Sequence, residues 1–357
     1  MKKILAVLSI LLVVMSLSAC APKKATYEIA MITDKGDIDD KSFNQGAWEG
    51  VKKYAEDNKK TYKYYKPTEI STAAYVAAID LAVSGGAKIV VTPGFLFEPA
   101  ILVVQEKYPN VKFVLLDGFP NNQIYTADYK EKITSNTYSI FYREEQSGFL
   151  AGYAAVKEGF TSLGFMGGMA VPAVVRFGYG FLQGAEYAAI ELGLTSVNVK
   201  YFYTGDFADT PANQQKAAAW YAAGVEVIFA AGGKVGNSVM SAAAAAGKKV
   251  IGVDVDQSAE SPTVISSATK GLGASVILAL DSFYKNKFPG GTKVSLGADV
   301  NGIGLPQNFA KFTKFNKAAY DAIFAKLVSN SIDLKDNADA ATADLLGLTK
   351  VIVTLEN

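Results

Sequence analysis

Short apolar runs alternate with amphipathic stretches along most of the chain. Residues 27–33 (YEIAMIT) read as a buried strand. Residues 41–58 read as a helix, because Phe43, Ala47, Val51, Tyr54 and Ala55 recur at helical spacing. Asp39 or Asp40, just ahead of that run, is placed to cap it, since a carboxylate there accepts from the unpaired N–H groups of the first turn. The pattern continues with a strand at 62–66, a helix at 73–83 closed by Gly85 and Gly86, a strand at 88–92, a helix at 99–107 and a strand at 111–116 ending in Asp117 and Gly118. It then repeats. A helix is expected at 144–157, a strand at 162–166 ending in Gly167 and Gly168, and a helix from Pro172 to about Leu192. Next come a strand at 197–203, a helix at 209–223, a strand at 225–231 ending in Gly232 and Gly233, an Ala-rich helix at 238–246 and a strand at 249–253 ending in Asp254. Beyond these lie a short strand at 264–267, a helix at 271–284, strand fragments from about Gly290, and a helix near 312–327.

Strands that alternate with helices imply α/β architecture: parallel sheets covered by helices on both faces, with right-handed crossovers. Two such passes predict two similar lobes. The chain is expected to cross between them near 134–139, near 254–258 and near Gly290, giving a first lobe of residues 27–138 plus 255–289 and a second of 139–254 plus 290–357. A single large doubly wound sheet is the alternative, and the length of 357 residues favours two lobes.

The first residues bear on the compartment. Lys2 and Lys3 precede an apolar run over residues 4–17, and Leu17-Ser18-Ala19-Cys20 follows. A short positive segment, an apolar core and small residues at a cleavage point form a secretory signal peptide. The run is short for a membrane span, which takes about 20 apolar residues. Small residues before a cysteine resemble a bacterial lipobox, which makes residues 1–19 a leader, Cys20 a lipidated first residue and the stretch to Thr26 a tether. An ordinary signal peptide or an uncleaved anchor is the alternative. Cys20 is the chain's one cysteine, so no intrachain disulfide is available and a lone thiol in a secreted chain calls for a role.

Charge and composition then exclude chemistry. Thirty-five Lys and Arg face 34 Asp and Glu, a balance that offers nothing to nucleic acid. Histidine is absent, which removes the usual general base and the commonest transition-metal ligand. Carboxylate-only catalysis remains open. The glycines around Gly167 and Gly232 fit neither a dinucleotide fingerprint nor a P-loop. Asp37, Asp39 and Asp40 are followed by Lys41 and lack the downstream Glu of a calcium loop, so neither a metal nor a cofactor is expected.

In open parallel sheets, ligands bind beyond the carboxyl ends of the strands. Asp34, Gly94, Asp117, Gly167, Gly168, Gly232, Gly233 and Asp254 stand there. Singly, each is an ordinary turn or cap residue; as a set from both lobes they outline a cleft. Glycines let backbone approach a ligand, and aspartates accept from hydroxyl or ring N–H groups, which suits a neutral polyhydroxyl or heterocyclic solute. Phe43 and Phe177 fall near the starts of helices on the cleft side of their lobes, where a flat ligand could stack between them; core packing is the alternative for each.

Residues 33–50, with Asp34, Gly36, Ile38 to Gln45 and Ala47 to Gly50 matching, resemble the opening signature of the basic membrane protein family, bacterial lipoproteins that include purine nucleoside receptors of ABC transporters. The likeness continues at Phe149 to Gly152, from Gly167 to Phe177, from Gly252 to Gln257 and from Ser267 to Lys270. The resemblance implies the two-lobed type I periplasmic-binding fold with three crossovers. It implies a monomeric binding protein, not an enzyme, on the extracytoplasmic face of the membrane, with a nucleoside ligand and a permease partner. Phe43 and Phe177 fall where the family sandwiches the purine, Asp34 and Asn44 where it contacts the base edge, and Asp117, Gly232, Asp254 and Lys270 where it grips ribose hydroxyls. Lys35 departs from the small or amide residue expected there and leaves the preferred base open among guanosine, inosine and adenosine. A sugar or autoinducer receptor of the same fold is the rival reading; a surface nucleosidase or a matrix-binding lipoprotein stands further off.

Overall fold

The computed structural model describes residues 26–356. The expected leader and Cys20 lie outside the described residues.

In chain order the first lobe contains β1 (Ile29–Ile32), α1 (Phe43–Asp57), β2 (Tyr62–Tyr65), α2 (Thr72–Ser84), β3 (Ile89–Pro93), α3 (Glu98–Lys107), β4 (Lys112–Leu116) and β5 (Thr137–Tyr142). The second contains α4 (Glu144–Glu158), β6 (Ser162–Gly167), α5 (Pro172–Glu191), β7 (Val197–Tyr203), α6 (Pro211–Ala222), β8 (Val227–Ala231), α7 (Val235–Ala246), β9 (Lys249–Asp254) and β10 (Val264–Lys270). The chain returns to the first lobe for α8 (Leu272–Tyr284) and β11 (Thr292–Leu296), then ends in the second with β12 (Ile303–Gly304), α9 (Lys317–Val328) and β13 (Val351–Leu355). The first sheet runs β11-β5-β4-β3-β1-β2 and the second β12-β10-β9-β8-β6-β7-β13. Every pairing is parallel except that of β12 with β10. Every residue of β1, β3 and β8 is buried, as parallel strands covered on both faces must be.

Local chemistry fixes several boundaries. Ser71 and Thr210 cap α2 and α6 by accepting from Ala74 N and Asn213 N, and α6 starts two residues later than expected because Thr210 caps it ahead of Pro211. Helices α4 and α5 pack unusually closely, glycine against backbone. A Cβ on Gly152 would lie 2.0 Å from Phe181 O, and one on Gly184 would lie 1.9 Å from Phe149 O. This contact holds the starts of both helices, and the residues they carry, in fixed relation.

The strand pairings correct the expected lobe boundaries. Residues 255–270, assigned to the first lobe, belong to the second, because β10 pairs in parallel with β9. Parallel neighbours normally need a crossover of a dozen or more residues, usually helical. Here the irregular residues 255–263 suffice, braced by Gln257, whose Oε1 accepts from Val253 N at 3.0 Å while its own N–H donates to Ser267 Oγ at 3.1 Å. Conversely, β5 and β11, expected at or beyond crossovers, pair with each other in the first sheet. The lobes therefore change at Arg143, at Gly271 and over residues 297–302.

Candidate functional site

The carboxyl ends of strands from both sheets open onto one cavity of about 360 Å³. All eight residues singled out by the sequence line it. Asp34 follows β1, Phe43 and Asn44 open α1, and Asp117 follows β4; across the cleft stand Phe177 of α5, Gly232 after β8, Asp254 at the end of β9 and Lys270 at the end of β10.

Part of the cavity wall is a buried ion cluster. Lys270 Nζ contacts Asp117 Oδ2 and lies 3.1 Å from Glu144 Oε1 and 3.7 Å from Asp254 Oδ1. The rings of Phe43, Phe177 and Tyr142 surround the ammonium at 4.7, 5.2 and 5.5 Å. Ser42 Oγ donates to Asp254 Oδ2 and so crosses from one lobe to the other. Asp117 and Asp254 both adopt left-handed backbone, with φ of 55° and 67°, a conformation that aspartate tolerates better than most residues and that turns each carboxylate off its strand end. Asp117 Oδ1 is buried without a partner.

Burial sets the electrostatics here. It pushes Asp117 up to about 7, against the pull of Lys270 and with added repulsion from Glu144. Asp254 is raised for the same first reason, opposed by Lys270 and the Ser42 hydrogen bond. Burial would lower Lys270, but the fields of Asp117, Glu144 and Asp254 outweigh it and keep the ammonium charged. Burial would raise Glu144, but Arg176 and Lys270 hold it below the usual carboxylate range.

Also lining the cavity, Asp34 Oδ1 accepts from Gly36 N and Asn44 Nδ2, each at 2.8 Å. Asn44 Nδ2 also donates to Asp40 Oδ2 at 2.9 Å, so both hydrogens of its amide are taken by protein. Burial pushes Asp34 up to about 6, against the hydrogen bonds from Gly36 and Asn44. Of the two expected caps of α1, Asp40 takes the role: it accepts from the N–H groups of Ser42, Asn44 and Gln45 at 2.9 to 3.0 Å.

The lobes meet over the cavity through side chains. Lys234 Nζ lies 3.2 Å from Asp37 Oδ2, Gln257 Nε2 donates to Lys41 O at 2.7 Å, and Lys41 pairs with Glu260 at 3.6 Å. Sequence reasoning passed over Ser42, Tyr142, Glu144 and Arg176 as parts of the site. Glu144 read only as the start of a helix, where a carboxylate is an ordinary complement to the dipole. Among the described residues no cluster of Asp, Glu, Cys or His is arranged to hold a metal ion.

The family model for ABC transporter substrate-binding proteins of the PnrA-like type, Bmp, matches residues 27–337. The chain belongs to the Bmp family. As a Bmp protein it is the extracytoplasmic solute-binding component of an ABC transporter and not an enzyme. Among its relatives, basic membrane protein A1 of Borrelia garinii is 30% identical over 321 residues, covering 88% of this chain and 89% of that protein. The ABC transporter nucleoside-binding protein BmpA of Lactococcus lactis is 30% identical over 303 residues, covering 79% and 82%. The solved ABC transporter solute-binding protein of Aeropyrum pernix superposes with a TM-score of 0.76 at 25% identity, covering 89% of this chain and 95% of that one. The glucose-galactose binding protein GanP of Geobacillus stearothermophilus, at 14% identity and a TM-score of 0.53, covering 78% and 96%, shares the fold alone. No helix among the described residues of this Bmp protein is long and apolar enough to cross a membrane.

Proposed function

We propose that this Bmp protein captures purine nucleosides (guanosine, inosine or adenosine) between its lobes and delivers them to a membrane permease, tethered by lipid on Cys20. The carrying observation is that one cavity combines an aromatic ring from each lobe, Phe43 and Phe177, with two buried aspartates braced by a single lysine. Aromatic faces suit a purine; ionised carboxylates held by an ammonium make strong hydrogen bonds to a vicinal diol. The cavity volume lies within the range of small-ligand sites, about 300–1,000 Å³. The L. lactis relative is named for nucleoside binding. At the ion cluster Lys270 is already matched by three carboxylates, which favours a neutral diol there over a phosphate.

The action is capture by closure. A solute that touches both lobes favours the closed state by its differential affinity for it. Asp34 Oδ2, left free by the hydrogen bonds on Oδ1, faces the base edge in this reading, and Asn44 acts by orienting Asp34. Asp254→Ala tests the assignment: inosine affinity is expected to fall about tenfold to a hundredfold, the worth of hydrogen bonds to a charged acceptor. Undiminished binding by that variant sinks the assignment. For the anchor, Cys20→Ser is expected to move the protein from the membrane fraction to the soluble one; unchanged membrane retention contradicts lipidation.

A further inference from the structure

Two charged residues behind the cavity have no place in the capture model so far. Glu144 opens α4, immediately after the chain leaves the first lobe at Arg143, and its side chain is fully buried. Arg176, in the first turns of α5, is 13% exposed and donates through Nε to Glu144 Oε2 at 2.6 Å. The other carboxylate oxygen of Glu144 lies 3.1 Å from Lys270 Nζ. Glu144 is thus a bridge between two cations, and neither it nor Arg176 is among the residues that line the cavity.

The arrangement is more than charge balance. Asp117 and Asp254 sit on opposite lobes, and Lys270 lies at the second crossover, where a small rotation would move its long side chain. Without a third anchor the ammonium could follow either aspartate as the lobes part. Glu144 supplies that anchor from the first crossover, and Arg176 holds Glu144 from behind while its Nη1 donates to Asn337 at 3.1 Å in the C-terminal segment. The same stretch of α4 ties the remaining crossings together: Ser147 Oγ donates to Thr269 O at 3.0 Å, and Gln146 Oε1 accepts from Ala298 N at 2.8 Å. The close glycine packing of α4 on α5 keeps Glu144 and Arg176 in register.

We propose that Glu144, backed by Arg176, is a positioning residue: it fixes the Lys270 ammonium between Asp117 and Asp254 and thereby sets selectivity for ligands that carry a vicinal diol. The inference rests on the nucleoside reading and deepens it. Glu144 touches no ligand; it acts through Lys270, so its removal should weaken the grip on the diol and leave the contacts to the base alone.

The test is calorimetric titration of wild type and Glu144→Gln with inosine and with 2′,3′-dideoxyinosine, which keeps the base and lacks both ring hydroxyls. Glu144→Gln preserves size and the contact to Arg176 while removing the charge. Inosine affinity is expected to drop about tenfold or more and dideoxyinosine affinity less than about twofold. Equal losses for both ligands, as a merely structural role produces, overturn the proposal, as does unchanged inosine binding. Wild type that binds none of inosine, guanosine and adenosine sinks the nucleoside reading, and this inference with it; where only guanosine or adenosine binds, that nucleoside and its 2′,3′-dideoxy analogue replace the inosine pair. Should Glu144→Gln fail to fold, Glu144→Asp carries the test. Its carboxylate is kept but withdrawn by one methylene, and the same selective loss is expected, with equal losses again overturning the proposal.

Discussion

Asn44 grips Asp34 twice: its Nδ2 donates to Asp34 Oδ1 at 2.8 Å, and its Oδ1 accepts from the Asp34 backbone N–H at 3.2 Å. Sequence likeness placed both at the base edge. The structure makes them unequal, because the second hydrogen of the Asn44 amide goes to Asp40. Asn44→Ala should therefore remove support from two buried carboxylates at once. Loss of a hydrogen bond to a charged group costs about 1.5–3 kcal/mol, and a stability loss of that order is expected in urea denaturation of the ligand-free protein. Nucleoside affinity should fall with it. A variant as stable as wild type that still binds normally contradicts the assigned role.

Acidity should weaken binding. Asp117 is pushed up to about 7 and Asp34 to about 6, both raised first by burial. Hydroxyl and ring N–H donors need these oxygens ionised and accepting, so protons and ligand compete. Affinity should be flat above about pH 8, fall as pH drops through 7, and fall further through 6. Where one proton must be displaced, the slope approaches tenfold per pH unit. Titrations between pH 8 and 5 check this, with Asp117→Asn expected to remove the upper step. Tighter binding at pH 5 than at pH 8 contradicts the assignment of Asp117 and Asp34 as acceptors.

The α4–α5 contact should be intolerant of side chains. Gly184→Ala places a methyl 1.9 Å from Phe149 O, too near for anything but backbone movement. Overpacking of this kind costs about 1–3 kcal/mol and sometimes more, and a loss of about 3 kcal/mol is expected by urea denaturation. A variant with wild-type stability shows that the helices can slide apart freely.

The Lys234–Asp37 pair spans the lobes near the cavity, and each side chain is 36% exposed. Exposed ion pairs contribute about 0–1 kcal/mol. Lys234→Ala should raise the ligand dissociation rate no more than about fivefold, measured by stopped flow, and high salt should reproduce part of the effect in wild type. A hundredfold change indicates that Lys234 touches the ligand.

Much of the architecture was legible because buried parallel strands read as unbroken apolar runs, as β1, β3 and β8 do. β5 was not, since Thr137, Ser139 and Asn136 interrupt its run and place it beside a turn. β10 looked like the far side of a linker because no helix separates it from β9, and only the bracing by Gln257 reveals why none is needed. Six of the eight cleft residues were legible by their place at strand and helix ends, while Asn44 and Lys270 came only from the family resemblance. The division of labour among the eight was not legible, because it depends on partners distant in sequence: Glu144 meets Lys270 from 126 residues away, with Arg176 behind it on a third element.

Purine nucleoside capture is tested most directly by titrating inosine, guanosine, adenosine, ribose and glucose into the chain that begins at Ala21. Saturable binding of one or more nucleosides in a one-to-one ratio, with none by ribose or glucose, is the predicted result. Saturation by a sugar without any nucleoside binding, or no binding at all, contradicts the purine pocket and leaves the Bmp fold to serve another solute.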